Sequence, residues 1–192
     1  MMRILGIDPG LRCTGWGVIA VDGGRLQHIA NGAIQPKPTL DDASRLQIIF
    51  DGLCEVITLH QPDQAAIEQI FVAKSAGSAL RLGMARGVGI LACGVNRLGV
   101  GEISARAVKK AVAGTGTADK KQIQEMVTRL LAVTAKNADA ADALAIAIAA
   151  SNEAGTAASV GLELDKGQVT GGLSAAIAAA LARDDAGNGG KT

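Results

Sequence analysis

The sequence predicts an α/β domain in which helices flank a mixed five-stranded sheet, an antiparallel meander followed by parallel strands. Two observations carry this prediction. Three short apolar segments separated by turn signals come first, and helical repeats then alternate with two further strands. The 192 residues are enough for one domain with a substantial core, which must be aliphatic because 48% of residues are hydrophobic but only 2% are aromatic.

Turn residues define the first three strands. Residues 3–8 are predicted to form a buried strand that ends at the pair Pro9-Gly10. Residues 15–21 form a second strand, and the Asp-Gly-Gly turn that follows predicts a hairpin into a third strand, residues 25–35. These strands make up the meander.

Helical periodicity accounts for much of the remaining chain. Apolar residues recur at helical spacing over residues 42–59, and residues 75–97 predict a longer helix. Between them, residues 64–71 predict an apolar strand with one internal acid, and residues 100–103 predict a weak fifth strand.

Capping residues mark the last three helices. Ser104 could cap the first, Asp119 and Gln122 resemble a capping box before the second, and Asn137 could cap the last, residues 138–151. This order of elements is the one expected of a ribonuclease-H-like domain, although other mixed-sheet folds share it.

Two features concern the organisation of the chain. Gly, Ala, Ser and Asp dominate after Asn152, so we predict a folded domain, residues 1–152, and a low-complexity mobile tail, residues 153–192. In the long second helix, Ala79, Gly83 and Gly87 recur every four residues. This stripe predicts close packing onto the sheet, with a dimer seam as the alternative.

Composition excludes some classes of protein. No uninterrupted apolar run reaches the length needed to cross a bilayer, and Asp8 comes too early for a signal peptide, which favours a cytoplasmic protein without membrane contact. The net charge of +1 favours no partner, but residues 68–129 hold ten basic and four acidic side chains. That surplus could hold a polyanion, or it could be an ordinary solvated helix surface.

Four acids stand at unusual positions. Asp8 ends an apolar strand and Glu68 lies within another, where an unpaired carboxylate is costly to bury. Asp139 and Asp142 are three residues apart at the start of a helix and so share one face. Each has a simpler explanation. Asp8 could be a turn residue, and Glu68 could point outward from an edge strand. Asp139 and Asp142 could complement the helix dipole.

The four acids together suggest more than each one does alone. If they converge, their mutual repulsion is relieved by hard divalent cations, and oxygen ligands suit Mg²⁺ or Mn²⁺. Two such ions can activate water and stabilise the leaving oxygen of a phosphodiester. The two histidines, His28 and His60, lie in no metal-ligand motif, so a zinc hydrolase is not supported.

Several segments resemble, in family order, the RuvC family of Holliday-junction (crossover junction) endodeoxyribonucleases. They are distributed over roughly residues 3–151. The matching segments are ILGIDPG at 4–10, TGWGV at 14–18, AIEQIF at 66–71, LGMARG at 82–87, VKKAVAG at 108–114 and ADAADALA at 138–145. One departure follows Glu102, where Ile103-Ser104 replaces the family's usual acidic-aromatic continuation and puts contacts from that loop in doubt.

The resemblance implies a homodimer that nicks two strands of like polarity symmetrically in a four-way DNA junction, during homologous recombination and DNA repair. It implies RuvA and RuvB as partners in branch migration, and two Mg²⁺ ions per subunit with Mn²⁺ as a plausible substitute. The implied catalytic and metal-binding residues are Asp8, Glu68, Asp139 and Asp142.

The resemblance also implies residues that bind DNA. Lys109 and Lys120 fall at basic positions near the cleaved phosphate, and Phe71 matches an aromatic residue linked to base stacking, with core packing as the alternative. Lys74 and Arg81, from the basic middle of the chain, are further candidates.

Three alternatives remain open. An RNA-processing nuclease of the same superfold would differ in substrate. An ATPase of the actin-like superfold could share the Gly-Ile-Asp-Pro-Gly hairpin, but such proteins need two related domains. A DNA-binding module without catalysis would not require four acids.

Overall fold

Five strands form one sheet in a computed structural model that describes residues 1–69 and 76–160, with side chains up to residue 152. The strands are β1 Met2–Asp8, β2 Thr14–Asp22, β3 Arg25–Ile34, β4 Gln64–Glu68 and β5 Val100–Ile103. Their order is β3-β2-β1-β4-β5. The first three are antiparallel, and β4 pairs parallel with both β1 and β5. The predicted mixed sheet is confirmed.

Five helices are described, and the last three begin at the predicted caps. They are α1 Asp42–His60, α2 Ala76–Val95, α3 Ala105–Ala113, α4 Lys120–Leu131 and α5 Ala138–Val160. Ser104 Oγ accepts the N–H of Ala107 at 3.2 Å before α3, and Asp119 forms its capping box before α4. Asn137 Oδ1 accepts the N–H of Ala140 at 2.8 Å at the start of α5.

The predicted end of the last helix was wrong. We expected α5 to end at residue 151, but it continues to Val160, where the compact unit also ends. Neither Asn152 nor Gly155 is a strong enough breaker to stop a helix within an Ala-rich segment. The division into residues 1–152 and 153–192 stays a prediction, because residues 161–192 lie outside the described part of the chain.

The sheet is covered on both faces. One core contains Ile4 with residues of α3, α4 and α5, and the other contains Leu5 with residues of α1 and α2. Because successive side chains of a strand alternate between faces, Asp8 shares the face of Ile4, which is the face that α5 covers. In β4, Glu68 shares that face with Ala66 of the same core.

Helix α5 lies directly on the backbone of β1 and β2. A Cβ at Gly6 would overlap the main-chain oxygen of Ala143, and one at Gly15 would overlap that of Asp139. Gly15 pairs with Asp8 in the β1–β2 ladder. The missing side chains therefore let the helix bring its first turn against the end of β1.

The expected packing of the α2 glycine stripe onto the sheet was wrong. Gly83 and Gly87 are exposed, and a Cβ at either would meet no atom within 4 Å. Helix α2 instead buries Ala85, Gly89 and Ala92. Small residues occur on both sides of this helix, so their spacing alone does not indicate which side faces the sheet.

The opposite side of α2 is apolar and exposed. This outer face consists of Leu80, Gly83, Gly87, Leu91 and Val95, of which the three large residues are 67%, 56% and 62% exposed. Among the described residues, α2 is the one helix whose length and composition would let it span a bilayer. It carries Arg81 and Arg86 and packs against α1 and β4, so we interpret the outer face as a protein contact surface.

Replacing Gly15 by Ala should destabilise the domain by roughly 3 kcal/mol, because the main-chain oxygen of Asp139 cannot move aside as a flexible side chain can. Gly99→Ala is the matched control, since a Cβ there meets nothing within 4 Å. Urea unfolding followed by circular dichroism measures both. Equal free energies of unfolding for the two variants would contradict the close contact.

Candidate active site

The ends of β1 and β4 bring two acids side by side. Asp8 and Glu68 are the last residues of their strands, and the parallel register pairs the preceding residues, Ile7 and Ile67. Both carboxylates are half-buried. Since β4 lies between β1 and β5, Glu68 does not belong to an edge strand, and that explanation of its position fails.

Helix α5 supplies the other two acids from its first turns. Asp142 lines the same cavity as Asp8 and Glu68, with a volume of about 210 Å³. Asp139 lines the groove next to it instead, although its charge still acts on Asp8. Three of the predicted acids thus share one cavity, and the fourth lines a separate groove.

Two lysines complete the polar lining of the cavity. Lys109 comes from α3, and Lys120 is the first residue of α4. The Nζ of Lys120 donates a hydrogen bond to Asp142 Oδ2 at 2.5 Å. The apolar wall is formed by Val108, Ile123 and Ile146, among others, so charged groups face one another across a partly apolar space.

Burial and crowding of the acids shift their proton affinities. Burial, followed by the charges of Asp142, Glu68 and Asp139, raises the pKa of Asp8 to about 7. Burial also raises the pKa of Glu68 and of Asp142, and the Lys120 ammonium opposes both shifts. The hydrogen bond to Asp142 in turn raises the pKa of Lys120.

This donor set suits a hard divalent cation in its chemistry. All donors are carboxylate oxygens, and a bound cation would relieve the repulsion that raises the pKa of Asp8. Within residues 1–69 and 76–160, no three carboxylate, thiol or imidazole groups stand close enough to enclose an ion in their present positions. The Lys120 ammonium pairs with the Asp142 carboxylate, so an ion bound to this carboxylate would displace it.

An ion pair behind the acids was not predicted from the sequence. The Nη2 of Arg86 on α2 lies 2.7 Å from Glu102 Oε1 on β5, and its Nε donates to the main-chain oxygen of Glu68 at 3.3 Å. Arg86 thereby ties the end of β4 to its neighbouring strand. Its partners are distant in the chain, so no local spacing could reveal the contact.

The remaining predicted DNA-binding residues differ in their positions. Phe71 and Lys74 lie outside the described residues. Arg81 lines the groove beside Asp139, together with Arg12 and Arg45, which were not predicted from the sequence. Lys109 and Lys120 lie on helices that pack on one face of the sheet, and Arg81 lies on α2, which packs on the other.

Known proteins are similar to this chain in sequence. The family model described as crossover junction endodeoxyribonuclease RuvC matches residues 4–150. A protein of that description from Caulobacter sp. (strain K31) is 52% identical over 152 residues, covering 79% of this chain and 90% of the relative. Another, from Haemophilus ducreyi, is 54% identical over 149 residues and covers 77% of both chains.

Solved structures agree with the sequence relatives. T. thermophilus RuvC in complex with Holliday junction substrate aligns with a TM-score of 0.76 at 29% identity, covering 80% of this chain and 95% of that one. The yeast mitochondrial Holliday junction resolvase Ydc2 shares the fold, with a TM-score of 0.57 at 12% identity over 77% of this chain and 78% of that one. The predicted ribonuclease-H-like fold is confirmed, and the chain belongs to the RuvC family of crossover junction endodeoxyribonucleases.

Proposed function

We propose that this protein resolves four-way (Holliday) DNA junctions by nicking two strands of like polarity symmetrically, in homologous recombination and DNA repair. The observation that carries the proposal is the cavity that Asp8, Glu68 and Asp142 share with Lys109 and Lys120. Family membership supports the endonuclease activity. The T. thermophilus relative described with a Holliday junction substrate supports the choice of DNA.

The family's nuclease chemistry implies a divalent metal ion in general, and we propose Mg²⁺, with Mn²⁺ as a substitute and two ions per subunit. Asp8, Glu68, Asp139 and Asp142 would hold it. When bound, such ions activate a water and stabilise the leaving oxygen of a phosphodiester. The four carboxylates come from two strands and one helix, so the sheet and α5 together fix their positions.

The two lysines act on the phosphate. Lys120 donates a hydrogen bond to Asp142, and an ion at Asp142 would compete with this bond and free the ammonium to contact substrate. Lys109 faces the same cavity. Both offset phosphate charge that the acids alone would repel. We propose no catalytic role for the other lysines.

Symmetric nicking requires two active sites, and we propose a homodimer formed through the outer face of α2. Three exposed large apolar side chains favour burial there, and Gly83 and Gly87 permit close approach of a second helix. We also propose a cytoplasmic location and RuvA and RuvB as branch-migration partners, both from family membership alone.

Asp8→Asn should reduce nicking of a synthetic four-way junction by roughly hundredfold or more, because it removes a central ligand for the cation. Junction binding should persist, since removing a negative charge cannot weaken attraction to phosphate. Gel assays measure nicking and binding, with Mg²⁺ or with a chelator. The substrates are the DNA junction, a linear duplex and an RNA junction. Asp51→Asn, at an exposed residue of α1, is the control.

An active Asp8→Asn enzyme would contradict the proposal. Cleavage of the RNA junction in preference to the DNA junction would favour the RNA-processing alternative, and Mg²⁺-independent nicking would remove the role of the carboxylates as metal ligands.

Asp8→Asn should also stabilise the metal-free protein at neutral pH. The folded-state pKa of about 7 lies above the usual 3.8, so the folded protein holds a proton that the unfolded chain has released between these values. The contribution of Asp8 to the free energy of unfolding is therefore fully present below pH 3.8 and is lost as the pH rises through 7. Asn does not titrate, so its contribution does not change with pH.

The expected gain at pH 7.5 is on the order of 2 kcal/mol, shrinking toward pH 4. Urea unfolding in chelator over this pH range measures it, with Asp51→Asn as control. A gain that does not change with pH would contradict the raised pKa of Asp8.

Leu91→Glu should convert the dimer to a monomer, because it places a charge in the outer face of α2. Sedimentation velocity measures the change in mass, and circular dichroism checks that the fold persists. Leu59→Glu, at a 72% exposed residue at the end of α1, is the matched control and should stay dimeric. A dimeric Leu91→Glu variant, or a monomeric wild type, would exclude this interface.

A further inference from the structure

A second groove adjoins the carboxylate cavity on the side of Asp139. Its volume is about 590 Å³, and its charged lining consists of Arg12, Arg45, Arg81, Asp42 and Asp139. Asp139 belongs to the first turn of α5, one helical turn before Asp142 in the cavity. A strand of nucleic acid at the acids could therefore continue into this groove.

The three arginines have different surroundings. Arg45 Nη2 donates to the main-chain oxygen of Leu11 at 2.8 Å, and its Nη1 lies 3.6 Å from Asp42 Oδ1. Its charge is thus largely committed to the protein. Arg12 and Arg81 are exposed, and neither forms an ion pair with any residue in the described part of the chain.

The loop that carries Arg12 is held in place from both sides. Thr14 Oγ1 donates to the main-chain oxygen of Gly10 at 2.9 Å and accepts the N–H of Gly10 at 3.3 Å. The bond from Arg45 fixes Leu11, next to Arg12. A guanidinium on an ordered loop loses less entropy on binding an anion than one on a mobile segment.

We propose that this groove binds a backbone phosphate of the DNA strand that flanks the phosphate to be cut. Arg12 and Arg81 donate to that phosphate, which guanidinium groups can bind in a bidentate manner. Arg45 is a positioning residue that holds the Arg12 loop. The inference rests on the proposed function and adds a second contact region, on the side of the acids opposite Lys109 and Lys120.

The test measures junction affinity against salt concentration, in full-length protein carrying Asp8→Asn so that the junction stays intact. Arg12→Gln and Arg81→Gln should each reduce the slope of log affinity on log salt by about one, since each phosphate contact releases about one counterion. Arg25→Gln is the control. Arg25 is exposed, and it begins β3 at the end of the sheet away from Asp8. The Arg25→Gln variant should therefore keep the wild-type slope.

Arg12→Lys separates a phosphate contact from general charge. It should keep the slope but weaken binding, because an ammonium cannot form the bidentate contact. Slopes for Arg12→Gln and Arg81→Gln equal to that of Arg25→Gln would overturn the inference while leaving junction cleavage by the wild type intact. A wild type that neither binds nor cuts junctions would overturn the proposed function and this inference with it.

Discussion

The close approach of α5 to the sheet is the constraint on which the site depends. The helix touches β1 and β2 at backbone level because Gly6 and Gly15 carry no side chain. Gly15 is the ladder partner of Asp8, so the contact that admits the helix also sets its first turn beside the end of β1. A helix held at the usual distance by side chains would leave Asp142 farther from Asp8. The packing of the core and the convergence of the acids are therefore one feature.

Bringing the acids together costs free energy unless a cation neutralises their charge. The raised pKa of Asp8 shows that burial and three neighbouring carboxylates disfavour its charged form. The Lys120 ammonium compensates part of this, because it bonds to Asp142 and lies on α4, whose start is fixed by the capping box at Asp119. The folded domain thus contains one site where buried carboxylates repel one another. This repulsion favours binding of a cation, which relieves it, over any purely structural role for the acids.

Local signals in the sequence were sufficient for the order of elements, the mixed sheet and the caps at Ser104, Asp119 and Asn137, since each depends on neighbouring residues. The unusual positions of Asp8 and Glu68 pointed to the site, and the family resemblance joined them to Asp142. Two of the failures depend on distant contacts. The orientation of α2 could not be read from glycines that occur on both of its sides, and the bond from Arg86 to the end of β4 joins residues 18 positions apart. The end of α5 was also missed, because Asn152 is only a weak stop signal.

Basic side chains lie on both sides of the acids, and this arrangement explains how an acidic centre can bind a polyanion. Phosphate approaching Asp8 and Asp142 meets repulsion until a cation neutralises them, so binding energy must come from either side of the centre. We propose that Lys109 and Lys120 provide it from α3 and α4, and Arg12 and Arg81 from the first loop and α2. Such an arrangement needs little net charge, which is consistent with the value of +1. It also accounts for basic residues lying on each of α2, α3 and α4, because basic side chains on one helix could contact the strand from one side only.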